Sequence, residues 1–313
     1  MLEMGTCFYN QCKYEDAKQQ YKLCSDTVDN NVIQHRATYY LGWCYYLLRD
    51  EHTAVKVFEH FLKNYPRSNL APQVLFWLGE YEFNRENFKR SLEFFEQLKD
   101  QHHDSDLLDN SYFLAGKSAF KLDLFDKAIS LLSMLITGYS DSDLLADAFF
   151  LRGESYLKSG RIKEAIDDFI VFDTAFEHSY LKNQAFEYLG DLFFKKKEFK
   201  NAIIYFNKSL KEEESSDNEV RVLEKLADSY KIKGESNKAI ATSLKLIYDD
   251  FSKEVRNKAI DFCIELYLEK HDYQNAINLL MKLLDGDFDV DKVTIKYKIR
   301  KLRYFETQRK GDL

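Results

Sequence analysis

Small and apolar residues recur along the chain with a period of 37 residues. The clearest series consists of six glycines followed by an alanine and an isoleucine: Gly5, Gly42, Gly79, Gly116, Gly153, Gly190, Ala227 and Ile264. We call each member of this series an anchor. A small residue follows each anchor by twelve positions, and a large side chain usually follows by sixteen, as Ala54 and Phe58 do after Gly42. The constant spacing indicates one structural element laid down repeatedly in the same register.

Each period contains two apolar stripes with helical spacing. The first stripe occupies offsets −4, −1, 0 and +3 from the anchor, and the second occupies offsets +12, +13, +16 and +19. Such spacing is typical of a helix with one buried face. Short polar segments, such as residues 49–51 and 158–160, separate the stripes and predict turns. Each period therefore predicts a helical hairpin, in which the small residues mark a close crossing and rings such as Phe58 fill the groove beside it.

The residues Leu41-Gly42, Tyr45, Ala54, Phe58 and Pro66 together resemble the tetratricopeptide repeat (TPR). The resemblance extends over about residues 1–284, although the period is 37 residues here and 34 in the family. It implies an all-α fold, a right-handed α-α superhelix (solenoid) of about eight helical hairpins with a C-terminal capping helix. The link at residues 65–71 reads Tyr-Pro-x-Ser-x-x-Ala. It is similar to links in bacterial envelope TPR proteins, namely outer-membrane assembly lipoproteins and the periplasmic partner of the Tol–Pal system.

The sequence predicts a solenoid over residues 1–284 and a linker with a basic capping helix over residues 285–313. The first repeat is truncated at Met1, which indicates a piece of a longer protein, and the last two repeats are degenerate. In the basic segment Ile295, Ile299 and Leu302 fall on one helical face. The same segment alternates apolar and polar residues from Val293 to Ile299, which is also compatible with a strand.

Composition narrows the function classes. Only 11 Gly and 2 Pro in 313 residues argue against a many-stranded β fold, and a net charge of −7 argues against an extended nucleic-acid surface. No apolar run reaches the length of about 18 residues that spans a bilayer. We therefore predict no nucleic-acid partner, and membrane contact only through a partner or through an anchor that precedes Met1.

The sequence lacks the motifs of common catalytic and metal sites. It has no phosphate-binding glycine loop, no G-x-S-x-G, no H-E-x-x-H and no C-x-x-C. The chain is accordingly predicted to be non-enzymatic, with no cofactor and no metal. Its five cysteines do not form a disulfide pattern, and Cys24 and Cys263 are expected as core fillers. Reduced thiols suit the cytosol, whereas the family resemblance favours a periplasmic or envelope-associated location.

The first helix of each hairpin has a second face, at offsets −3, +1 and +4, which we call the first-helix face. In the family resemblance this face lines the concave groove where peptides dock. Toward the N-terminus the candidate groove residues are mainly aromatic: Tyr39, Trp43, Tyr46, Phe76, Glu80, Phe83, Phe113, Phe120 and Phe150. Toward the C-terminus they are acidic: Glu187, Asp191, Glu224, Asp228, Asp261 and Glu265. The alternatives are that neighbouring helices bury the rings against each other and that the acids form a solvated face.

These features predict a scaffold, or adaptor, for protein–protein interaction. Its partner is expected to be an extended or helical protein segment that is apolar at one end and rich in Lys and Arg at the other. The preferred role is assistance in assembling a bacterial envelope complex. One alternative is a structural spacer within a larger motility or secretion machine, and another is a regulatory TPR domain of a larger enzyme.

Overall fold

The computed structural model describes residues 1–27, 30–211 and 218–311, with side chains up to residue 308. All regular secondary structure within these ranges is helical, which confirms the predicted all-α fold class. The chain forms two compact units, Met1–Asp168 and Phe169–Leu313.

The first unit is a succession of helical hairpins. Its helices are α1 (Leu2–Asn10), α2 (Tyr14–Thr27), α3 (Asn31–Leu47), α4 (Glu51–Asn64), α5 (Ala71–Asn84), α6 (Phe88–Gln101), α7 (Leu108–Lys121), α8 (Phe125–Gly138), α9 (Leu145–Lys158) and α10 (Ile162–Ile170), the last of which ends just past Asp168. The odd-numbered helices carry the anchors, and the even-numbered helices carry the small residues at offset +12.

The second unit continues the same alternation. A 3-10 turn (Val171–Asp173) leads into α11 (Lys182–Lys195), α12 (Phe199–Ser209), α13 (Glu219–Ile232), α14 (Ser236–Tyr248), α15 (Lys253–Glu269), α16 (Tyr273–Asp285) and α17 (Lys292–Gly311). The segment that alternates from Val293 to Ile299 is therefore helical. Ile295, Ile299 and Leu302 are buried in one apolar cluster with residues of α15 and α16. The predicted C-terminal capping helix is confirmed.

The anchor glycines make direct contact with the side chain sixteen residues later. A Cβ atom placed on Gly42 would lie 2.5 Å from the Phe58 ring, closer than van der Waals contact allows. The Phe58 ring is fully buried and has no room to retreat. The same relation holds for Gly5 with Tyr21, Gly79 with Phe95, Gly116 with Leu132, and Gly190 with Phe206. The expectation that these side chains lie beside the crossing was wrong, because each lies directly on its glycine.

The turn inside each hairpin also repeats. Every residue with a positive φ in the described part of the chain stands seven positions after an anchor: Cys12, Arg49, Glu86, Asp123, Gly160, Lys197, Gly234 and His271. In the second hairpin the amide of Asp50 donates to the carbonyl of Tyr45 and that of Arg49 to Tyr46, both at 2.9 Å. These bonds satisfy the carbonyls at the end of α3 in the manner of a Schellman cap. The left-handed residue thus ends one helix and directs the chain into the next.

One hairpin has a charged pair at two core positions that are mostly apolar in the other hairpins. The Arg152 guanidinium donates hydrogen bonds of 2.6 and 2.8 Å to the carboxylate of Asp168, and a third of 2.9 Å to Ser133. The equivalent residues of the second hairpin are Leu41 and Val57. Burial raises the pKa of Asp168 even though Arg152 acts to lower it. Burial also opposes the charge of Arg152, so desolvation offsets part of the attraction between the two side chains.

None of the described helices combines the length and the apolar character that a bilayer crossing requires.

The crossing contact predicts the effect of a single methyl group. Replacing Gly42 by Ala should destabilise the fold by about 1–3 kcal/mol, because the new Cβ overlaps a ring that cannot move. This outcome is opposite to the usual gain of about 1 kcal/mol for Gly to Ala inside a helix. Thermal unfolding followed by far-UV circular dichroism measures the difference.

Gly138→Ala is the matched control, since no atom lies within 4 Å of a Cβ built at Gly138. Its midpoint should stay unchanged or rise. A Gly42→Ala protein as stable as the control would show that the crossing is looser than described.

Candidate functional site

The predicted groove residues lie on α3, α5, α7 and α9 of the first unit and on α11, α13 and α15 of the second. Phe150 and Glu187 are buried, with 6% and 4% of their surface exposed. The aromatic residues other than Phe150, together with Glu80 and Asp191, are partly exposed. The remaining acids are exposed: Glu224, Asp228, Asp261 and Glu265. The accessible part of the face is thus smaller than the sequence suggests.

The rings of α3 belong to a packed aromatic network. The Trp43 ring lies 5.1 Å from the Phe58 ring and 6.0 Å from the Trp77 ring, between centroids. The Tyr46 ring contacts the same Trp77 at 5.2 Å. Burial raises the pKa of Tyr39, whose ring completes this network by contacting Trp43 at 6.0 Å. Here the rings serve mainly to join α3, α4 and α5.

Along α5 and α7 the face combines rings with a cation. The Lys117 ammonium lies 5.4 Å from the centre of the Phe83 ring and 6.0 Å from that of Phe113, within cation–π range. These three side chains are all partly exposed. Glu80 projects from the same face of α5, and burial raises the pKa of its carboxyl. We call Glu80, Phe83, Phe113 and Lys117 the α5–α7 patch.

The other predicted rings of this region pack within their own hairpins. Phe76 contacts Phe95 at 5.7 Å, and Phe120 contacts Phe125, the first residue of α8, at 5.6 Å. Phe83 makes the equivalent contact with Phe88 at 5.3 Å. A ring at offset +4 therefore packs on the first residue of the next helix and stays partly exposed.

Two basic side chains of α13 pair with the acids of α11. The Arg221 guanidinium on α13 bridges Glu187, at 2.9 Å, and Asp191. Lys225 adds a bond of 2.8 Å to Asp191. The buried carboxylate of Glu187 thus has a cationic partner, as buried charges require.

The pairing continues along the second unit. Lys231 on α13 lies 2.8 Å from Glu265 on α15, and Lys298 on α17 pairs with Asp261. Among the described residues no ion pair involves Glu224 or Asp228. Burial raises the pKa of the Asp228 carboxyl, although the nearby Lys231 acts to lower it.

The candidate groove residues predicted from the sequence did not include the cations of the site. Lys117 and Lys231 stand at offsets of the first-helix face, so the periodicity gave a signal for them. Arg221 and Lys225 stand on a different face of α13, 34 residues after Glu187 and Asp191 respectively. Only the placement of α13 beside α11 reveals that they reach the acids.

Three of the five cysteines are buried in the core, and two are exposed at the surface. Cys24 and Cys263 are buried, as expected, and so is Cys44, whereas Cys7 and Cys12 are exposed. Burial raises the pKa of Cys44 and of Cys263 to about 12, so both stay protonated and act as apolar fillers. No group of three or more His, Cys, Asp or Glu side chains is placed to hold a metal ion within the described ranges.

Two segments of the chain match models of the tetratricopeptide repeat, residues 36–68 and residues 186–215. The chain carries tetratricopeptide repeats. This fold is a scaffold for protein interaction and typically has no catalytic activity of its own. No curated protein matches the chain.

One solved structure agrees with the repeat fold, and two others are similar at lower scores. The C-terminal part of a TPR repeat-containing protein from Cytophaga hutchinsonii superposes with a TM-score of 0.58 and 15% identity, covering 84% of this chain and 99% of that one. A tetratricopeptide repeat protein from Parabacteroides merdae gives a TM-score of 0.47 at 15% identity, covering 86% and 98%. MamA from Desulfovibrio magneticus gives 0.46 at 16% identity, covering 58% and 97%. Only the first score bears on the fold, and at this identity it shows the fold alone.

The ion pairs of α11 and α13 predict unequal effects of two substitutions. Arg221→Met removes the guanidinium that pairs with the buried carboxylate of Glu187 and should cost about 1–3 kcal/mol of stability. Lys225→Met should cost less than about 1 kcal/mol, because Asp191 is partly exposed and keeps Arg221. Urea unfolding of both variants tests this order. Equal losses would mean that burial of Glu187 does not set the strength of the pairing.

Proposed function

We propose that the chain is a non-enzymatic adaptor that binds a segment of another protein on its first-helix face. The observation that carries the proposal is the α5–α7 patch. Its two rings, Phe83 and Phe113, are partly exposed, and Lys117 lies between them. Large rings of low conformational entropy beside a fixed charge are typical of binding hot spots.

The patch favours a segment with apolar side chains that pack on the free sides of Phe83 and Phe113. Within the second unit, Glu224 and Asp228 are exposed and have no ion pair among the described residues, so they would suit a Lys/Arg-rich sequence. Glu187 and Asp191 already have cationic partners, so they are supporting residues in this proposal. Phe150 is buried and takes no part in the contact.

We further propose that the adaptor assists in assembling a complex of the bacterial envelope. Support for this location comes from the link at residues 65–71, whose pattern is similar to that of envelope TPR proteins. In this proposal residues 1–284 form the binding array, and residues 285–313 form the linker and the capping helix.

Selection of peptides from a random library against the full chain tests the binding proposal. Enriched peptides should be apolar at one end and rich in Lys or Arg at the other. Phe83→Ala combined with Phe113→Ala should weaken their affinity at least tenfold, because truncation of a hot-spot ring typically costs 2 kcal/mol or more. Fluorescence anisotropy with a labelled peptide provides the measurement.

Leu124→Ala combined with Met134→Ala is the matched control, since both side chains are exposed in the same unit but lie outside the first-helix face. The control protein should bind as the unmodified chain does. Failure to enrich any peptide, or equal losses in the two double variants, would favour a spacer that does not bind through this face.

A further inference from the structure

The capping helix α17 has two different faces. Ile295, Ile299 and Leu302 are buried against the second unit. On the opposite side, Val293, Tyr297 and Tyr304 are 78%, 65% and 61% exposed. These three residues follow the spacing of a single helical stripe over roughly 16 Å. Capping the repeats explains the buried face and leaves the exposed one without a role.

Positive charge flanks the exposed stripe over residues 296–301, whereas the carboxylate of Asp291 lies at its N-terminal end. Lys296, Arg300 and Lys301 are exposed along it. Lys298, by contrast, is engaged with Asp261. Residues 292–313 contain eight of the chain's 45 Lys and Arg but two of its 52 Asp and Glu, so this segment carries +6 and the rest of the chain −13. The capping helix is thus a local basic surface on an acidic protein.

We propose that the exposed face of α17 docks directly on the surface of an anionic lipid bilayer, in contrast to the sequence-based prediction that membrane contact needs a partner or an anchor. The charge of the helix is complementary to acidic headgroups, and each Lys or Arg near such a surface contributes about 1 kcal/mol. Tyr side chains suit the headgroup level because the ring is apolar and the hydroxyl is polar. Because Ile295, Ile299 and Leu302 are already buried, the helix lies on the headgroups and does not insert deeply.

The acidic remainder of the chain does not oppose this contact strongly. A helix is about 10 Å across, so the neighbouring helices lie about one Debye length farther from the lipid at 0.1 M salt. Their repulsion is largely screened at that distance. Contact through this one helix is therefore compatible with the overall net charge of −7.

Vesicle sedimentation with the full chain tests the proposal. The chain should sediment with vesicles of phosphatidylcholine mixed with phosphatidylglycerol, and it should stay in solution with phosphatidylcholine alone. The triple variant Lys296→Gln, Arg300→Gln and Lys301→Gln should weaken binding to the mixed vesicles roughly 100-fold, about fivefold per cation. Tyr297→Ser combined with Tyr304→Ser should weaken it several-fold at unchanged charge.

The control variant is Lys121→Gln, Lys163→Gln and Lys200→Gln, which makes the same change in net charge at exposed positions on other helices. It should bind like the unmodified chain. Equal loss in both triple variants, equal binding to neutral vesicles, or no binding to either would overturn the proposal. Retention on immobilised polyglutamate without binding to the mixed vesicles would also overturn it, since that result points to an acidic protein.

Discussion

The contact between an anchor glycine and the side chain sixteen residues later sets the geometry of the hairpins. At Gly42 the Phe58 ring occupies the space that any other side chain would need. The two helices can therefore approach closely, and the ring is sealed between them. Four further glycines make the same contact, so successive hairpins share one crossing geometry. Residues at a given offset consequently face the same way in each of them.

The turns and the first-helix face follow from this crossing. A left-handed residue seven positions after each anchor closes one helix and starts the next at a constant distance. With crossing and turn fixed, offsets −3, +1 and +4 form a face that the contacts within each hairpin cover only in part. In the first unit that surface is built from rings and Lys117, and in the second from ion pairs such as Lys231 with Glu265. One scaffold thus presents two chemistries.

The periodic part of the structure was predictable, because glycines at the anchors and small residues at offset +12 indicate where two helices cross closely. The left-handed turn residues were not recognised, since only Gly160 and Gly234 among them are glycines, although their separation is two periods. The pair of Arg152 and Asp168 was missed because both replace core residues and only their contact explains either. The packing of adjacent helices buries Phe150 and Glu187 and brings Arg221 to Glu187. The spacing of residues within one helix does not encode this packing.

Deleting one period tests the account most directly. Removal of residues 86–122 takes out 37 residues and joins Arg85 to Asp123, so every offset continues in register. The shortened protein should keep the helical content per residue of the full chain and unfold cooperatively, as measured by circular dichroism, since each hairpin contacts only its neighbours. Removal of residues 86–119, the family's usual length, should instead break the register and destabilise the fold. A misfolded 37-residue deletion, or equal tolerance of both, would contradict the account.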